Sequence, residues 1–440
     1  MNAHPGVLVR TGAVHDSVLK GLAEFGVPLL LSTGRTEFDE ETLACFRSTG
    51  TDVGMVEDRC PEPERKAIWA WARERALQIG ECMTRASIVL DDPDAAVPLG
   101  SGFFTDDWPL AYDLAESEVL VRSLDRVAQT SAIGACVVSE DFMPQSRVLV
   151  LWARSRGIPS FHVHHGTHLG RLDNFTREGF ADYQLAAGRR AAEWPLWQGF
   201  DPAAIVVTGA PQFDHYATLL ARRDEVRCKV RTSCGLLPDE PIVLFAATTW
   251  GVMTRFTEFG ISESTLRAFC GGARHAMDRS GRRFGIVVKD RLPPGQAGKP
   301  LVDAVLREFG IPGVYVTGRP EELVCAADLV LGCDSNMLVE SMLCGVPAIN
   351  IWAPLNWLTG PYFRSDDGVP LFRCDDVQGI GEEMVRRLYD PACRAAAIAR
   401  QTEALSEIVD RPDGRAGARC ARFILAAMTR PGSPSSPRLR

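Results

Sequence analysis

The 440-residue chain is 46% apolar and 24% charged, the balance of an ordinary globular protein, and it is too long for one core, which points to two domains of roughly 200 residues. A formal net charge of −8, without a concentrated Lys/Arg stripe, argues against a nucleic-acid groove but leaves room for a local anion pocket. No run reaches the ~18 consecutive apolar residues of a membrane span, and "MNAHPGVLVRTGAV" does not read as a secretory signal. The 13 cysteines, scattered without a Cys-x-x-Cys pair, read as reduced and mostly buried thiols of a cytoplasmic protein.

Along the chain, short β-branched apolar runs alternate with longer amphipathic segments. "GVLVR" (6–10) and "VPLLLS" (27–32) read as strands around the helix "HDSVLKGLAEFG". "ASIVLDD" (86–92), "SAIGACVVSED" (131–141), "IPSFHVHHG" (158–166) and "AAIVVTG" (203–209) follow as further strands. Between them, "PERKAIWAWARERALQI" and "AYDLAESEVLVRSLDRVA" carry apolar residues at helical spacing. The charged helix "RRDEVRCKVRTSCGLLPDE" (222–240) reads as a connector. The alternation then restarts with "PIVLFAATT" (241–249), "RFGIVVKD" (283–290), "GVYVTG" (313–318), "ADLVLGCDS" (327–335) and "VPAINIW" (346–352). Near-continuous apolar strands separated by helices imply parallel sheets covered on both faces. The expected organisation is therefore two tandem doubly wound α/β domains: residues 1–215, a connector over 216–240, residues 241–428, and a disordered Pro/Ser/Arg-rich tail over 429–440.

Ligands of such sheets sit beyond the carboxyl ends of strands, at helix N-termini. The strand-end residues are therefore the candidates. "ADLVLGCDSNMLVESMLCGVPAINI" (327–351) places Asp334, Ser335 and Asn336 between a strand and a helix whose first amides suit a phosphate. Glu340, about one and a half turns into that helix, could accept hydrogen bonds from two ribose hydroxyls; the plainer alternative is a solvated Glu on a capped helix. "VVTGAPQFDHY" (206–216) ends a strand at Gly209, "FAATTW" ends one at Thr248 and Thr249, and "VVKDRLPPG" offers Lys289 and Arg291 as phosphate partners.

Half of the eight histidines, His162, His164, His165 and His168, crowd into "FHVHHGTHLG". A metal site is disfavoured, because Gly166 and Thr167 interrupt any helix between His164 and His168. A general base or phosphate donor at the strand end, beside a glycine that admits a ligand, fits better.

Taken together, these stretches resemble the bacterial surface-carbohydrate transferases of GT-B fold, a grouping that includes CDP-glycerol glycerophosphotransferases, capsule polysaccharide transferases and, more distantly, non-hydrolysing UDP-GlcNAc 2-epimerases. The resemblance runs over about residues 130–352, through "SRVLVLWARSRGIPSFHVHHGT", "VTGAPQFD", "FAATTW" and "ADLVLGCDSNMLVESMLCGVPAI" in that order. It implies a GT-B-like α/β fold with two Rossmann-like domains facing a cleft, the first on the acceptor side and the second on the nucleotide-donor side. It implies roles for His165 near the transferred group, for Gly166 and Thr167 beside it, and for Thr248 and Thr249 along the donor. Asp334, Ser335 and Asn336 would meet its phosphates and Glu340 its ribose. The family's Lys-x-His-Pro stretch stands here as Lys289-Asp290-Arg291-Leu292-Pro293, so its histidine is missing. That departure favours sugar transfer over glycerophosphate transfer.

The expected activity is a metal-independent glycosyltransferase, without a cofactor, moving a sugar from a nucleotide-activated donor to a saccharide or lipid-linked acceptor in surface-polysaccharide or glycoconjugate synthesis. His165, or else His15 after the first strand, would take the acceptor proton. No nucleic-acid partner and no membrane span are expected, with peripheral membrane contact left open. Competing readings are a glycerophosphotransferase, a sugar-nucleotide 2-epimerase using Asp141 and Glu340 as acid and base, a non-catalytic module of the same fold, and a His-cluster metalloenzyme.

Overall fold

The computed structural model describes residues 5–10, 16–32, 40–49, 55–89, 109–139, 144–164, 166–167, 181–197, 199–247, 261–290, 298–318, 320–352 and 363–429. The chain starts with β1 (Gly6–Arg10), α1 (Asp16–Glu24), β2 (Leu29–Ser32) and α2 (Glu40–Thr49), followed by two long helices, α3 (Glu62–Val89) and α4 (Pro109–Thr130). It continues through β3 (Ile133–Val138), α5 (Pro144–Ser155), β4 (Ser160–Val163), β5 (Tyr183–Ala186), α6 (Arg189–Trp197) and β6 (Ile205–Val207). These strands form one wholly parallel sheet in the order β2-β1-β3-β4-β5-β6.

After α7 (Tyr216–Ala221) and α8 (Arg223–Cys234), the second half runs β7 (Ile242–Ala246), α9 (Ile261–Ser280), β8 (Gly285–Asp290), α10 (Gly298–Glu308) and β9 (Gly313–Thr317). The chain then crosses back with α11 (Pro320–Ala326), β10 (Leu329–Gly332), α12 (Asn336–Leu343), β11 (Ala348–Trp352) and β12 (Leu371–Arg373). Three helices close it: α13 (Val377–Tyr389), α14 (Pro391–Ile408) and α15 (Ala416–Met428). The second sheet is also parallel, in the order β12-β11-β10-β7-β8-β9. Strand order reverses between β1 and β3 in one sheet and between β7 and β10 in the other. Those reversals open a crevice at the carboxyl edge, where neighbouring crossovers leave in opposite directions.

Burial explains why the strands read as apolar runs. The first sheet packs one face against α1 and α15 through Val7, Val9, Leu19, Leu22 and Ile424, and the other against α4 and α5 through Leu120, Leu124 and Leu149. The second sheet packs Phe245, Phe269 and Ile286 on one face, and Leu244, Val330 and Leu338 on the other. Each such side chain contributes about 1.5–3 kcal/mol on burial.

Three expectations need correction. Residues 86–89, expected in a strand, continue the helix α3 to Val89; a β-branched pair at the end of a long helical pattern is too short to start a strand of its own. The helix α15, expected with the second domain, packs on the first sheet, because Cys420, Ala421, Ile424 and Ala427 form one apolar stripe matched to α1. The segment expected as a connector is built into the second domain: Tyr216, Val226, Val230 and Cys234 are buried in its core. The strands β5 and β12 were not anticipated. Of the tail, Thr429 follows α15 and residues 430–440 lie outside the described residues.

Candidate functional site

The N-terminus of α12 faces the carboxyl edge at the second sheet's reversal. The strand β10 ends at Gly332 opposite Ala246 of β7, and the backbone turns through Asp334 at φ 41°. Aspartate tolerates this left-handed conformation better than most residues. It is held by Asn350 of β11: the Asp334 amide donates to Asn350 Oδ1 at 3.0 Å, and Asn350 Nδ2 donates to Asp334 Oδ1 at 2.6 Å. Ser335 then caps the helix, its hydroxyl accepting from the Met337 amide at 3.3 Å. Buried Met337, Leu338, Val339 and Met342 hold α12 against the sheet. At its far end Gly345 and Val346 donate to the Met342 and Ser341 carbonyls, so the helix is closed at both ends.

The first domain reaches this helix. The Thr167 hydroxyl donates to Asn336 Oδ1 at 3.0 Å, and a methyl group placed on Gly166 would lie 3.1 Å from Asn336 Nδ2. Gly166, Thr167, Ser335 and Asn336, chosen from two stretches about 170 residues apart, are thus brought together.

Glu340 lies deeper along α12. The Tyr216 hydroxyl donates to its Oε2 at 2.5 Å. Burial pushes the Glu340 pKa up to about 7, the Tyr216 hydrogen bond pulls against that, and the nearby charges of Glu321 and Lys289 raise and lower it respectively. Lys289, at the end of β8, is itself buried. Lys289 and Glu340 thus share one electrostatic environment.

Gly209 has a different setting. At φ 91° it sits where a Cβ would come within 2.6 Å of Arg419 Nη2 and 2.8 Å of the Asp410 carbonyl, so its missing side chain admits the segment leading into α15. Nearby Asp214 caps that same helix, accepting from the Ala416 and Gly417 amides at 2.9 and 2.7 Å. "VTGAPQFD" thus locks the last helix onto the first domain.

The histidine cluster divides. His162 and His164 are each 1% exposed. His162 Nε2–H donates to the Ser139 carbonyl at 2.9 Å, its Nδ1 lies 2.7 Å from Gln184 Oε1, and His164 Nε2 donates to the same oxygen at 3.2 Å. These two rings brace the ends of β3, β4 and β5. Among the described residues no group of three metal-binding side chains comes together. His15, Asp141, His165, His168, Thr248, Thr249 and Arg291 lie outside the described residues.

Sequence reasoning missed Tyr216 and Asn350. A lone Asn inside the apolar strand "AINIW" is a usable signal, since a buried amide needs partners. Tyr216 carries none, because its role depends on a contact 124 positions away.

Two parallel α/β domains facing each other across their carboxyl edges, joined at α12 and closed by a helix returning to the first domain, make up a GT-B-like fold. No family model matches the sequence, and no curated protein matches it. Solved structures do. A UDP-GlcNAc 2-epimerase from Neisseria meningitidis, bound to UDP-GlcNAc, aligns over 96% of this chain and 99% of its own with a TM-score of 0.56 at 12% identity. A putative UDP-N-acetylglucosamine 2-epimerase from Listeria monocytogenes covers 99% of both chains with a TM-score of 0.56 at 14% identity. A variant of the wall teichoic acid polymerase TagF soaked with CDPG covers 97% of this chain and 90% of its own with a TM-score of 0.50 at 12% identity. At such identities the likeness is one of fold.

Proposed function

We propose that this protein is a glycosyltransferase that binds a nucleotide-activated sugar along α12 and transfers the sugar to a saccharide or lipid-linked acceptor presented by the first domain. The observation that carries this reading is the capped N-terminus of α12 at the reversal of the second sheet, met across the cleft by Gly166 and Thr167. The positive end of the α12 dipole and the charge of Lys289 suit a diphosphate and the negative charge that grows on it as the sugar leaves. Glu340 offers a carboxylate to ribose hydroxyls. Positioning two substrates between two domains accounts for much of the rate in such a scheme, and the proposed base is His165. In this reading the helix dipole and Lys289 neutralise the leaving diphosphate without a resident metal.

Nucleotide binding is tested by thermal shift against UDP-, CDP- and GDP-sugars, followed by product analysis with candidate acceptors in EDTA. Stabilisation by one class, and turnover only with an acceptor, supports transfer. Full donor affinity in Glu340→Ala removes the assignment of the ribose site.

A second reading is epimerisation of a sugar nucleotide. It is favoured by the near-complete overlay with two epimerase structures and by a Glu340 pKa of about 7, which suits a carboxyl group that must both give and take a proton. Turnover of the sugar nucleotide without any acceptor separates it from transfer.

A further inference from the structure

We infer that Tyr216 is the positioning residue for Glu340, holding one carboxylate oxygen so that the other is presented to the nucleotide ribose. The inference rests on the assignment of Glu340 to the nucleotide site. Tyr216 is 2% exposed, and its ring is wedged among Phe213, Val226 and Val230 in the core of the second domain. It is the first residue of α7, in the segment that joins the two sheets, and Asp214 just before it is tied to the amides of α15. The phenol therefore approaches Glu340 from a buried support tied to α15.

Its hydroxyl donates to Oε2 at 2.5 Å, and among the described residues no other group hydrogen-bonds the Glu340 carboxyl. Two consequences follow. A glutamate on a helix samples several rotamers, and ordering them at the moment of binding costs affinity; the fixed phenol removes that cost beforehand. A hydrogen bond to the ionised form also holds the carboxylate charged against the burial that favours its protonation, and only the carboxylate accepts two ribose hydroxyls at full strength. Oε1 is left as the acceptor facing the ligand.

The test compares Tyr216→Phe, which keeps the ring, with Glu340→Gln. In protein labelled with ¹³C at glutamate carboxyl groups, the Glu340 signal is identified by its loss in Glu340→Gln. In Tyr216→Phe its titration midpoint is expected to move upward by about one pH unit. No movement overturns the inference whether or not any nucleotide binds. Calorimetric titration with UDP, CDP and GDP supplies the second arm. Tyr216→Phe is expected to weaken the binding nucleotide about tenfold at pH 6.5 and much less at pH 8.5, where Glu340 ionises without help. A loss equal at both pH values means that the phenol merely supports the fold, and overturns the inference. Full affinity in Glu340→Gln instead removes Glu340 from the nucleotide site, and is recognised by an unchanged Kd while the carboxyl titration still responds to Tyr216.

Discussion

The Glu340 carboxyl, buried beside Tyr216, has its pKa pushed from an ordinary 4.5 up to about 7. The folded state thus binds this proton more tightly than the unfolded chain does. The stabilising contribution is present at low pH and declines as pH rises from about 4.5 through about 7. Glu340→Gln removes the titration while keeping the shape. Its Tm relative to the parent protein is expected to rise between pH 5 and pH 8 by about 2 °C, and a difference that stays flat with pH contradicts the assigned burial. A charge kept at a stability cost in a cleft is what a binding role would require. Gly188 shows the opposite case, a residue dictated by packing alone: a Cβ there would lie 2.3 Å from the Ile408 carbonyl. Gly188→Ala is expected to cost about 3 kcal/mol in urea unfolding, because backbone cannot yield as a flexible side chain does.

Among the elements, α12 concentrates the candidate chemistry. Ser335 supplies its N-cap, and loss of such a cap typically costs about 1 kcal/mol. Ser335→Ala is expected to lower stability by that amount and, at the proposed nucleotide site, also to weaken nucleotide binding, since Ser335 sets the first turn of the helix. Unchanged nucleotide affinity would show that the helix terminus is structural only. Both ends of α12 were legible, because a serine before an apolar run and a glycine after it are local signals. The turn that aims the helix was not, since Asp334 holds its left-handed backbone through Asn350 on the neighbouring strand. Short elements were the other loss. The strand β5 carries Gln184 within it, and β12 spans only Leu371–Arg373, so neither shows an apolar run. At 86–89 a local β-branched cluster misled, because helix propagation from the preceding residues outweighs a weak local preference.

At the scale of the whole molecule, the two domains are pinned by charge as well as by α15. Arg190 of α6 makes a two-pronged contact with Asp367 at 2.7 and 2.6 Å and reaches Glu407 of α14 at 3.2 Å. Arg190 and Asp367 are 8% and 1% exposed, so removing Asp367 leaves the buried guanidinium with Glu407 alone and forfeits the two-pronged contact. Asp367→Ala is expected to destabilise by about 3–5 kcal/mol, measured by denaturant unfolding; a cost below about 1 kcal/mol would show that the pair is solvated in solution. Because this pair lies between the domains, it belongs to a class of contact that no local pattern announces. What the sequence by itself determined is the alternation of strands and helices, hence two parallel sheets, and where most of their strands end. Both depend on burial and periodicity within about ten residues. Only the tertiary structure decided that Thr167 meets Asn336, that Tyr216 holds Glu340 and that the last helix returns to the first sheet. Those contacts join residues far apart in the chain, and their partners are chosen by how two closed sheets pack rather than by the neighbours of any one residue.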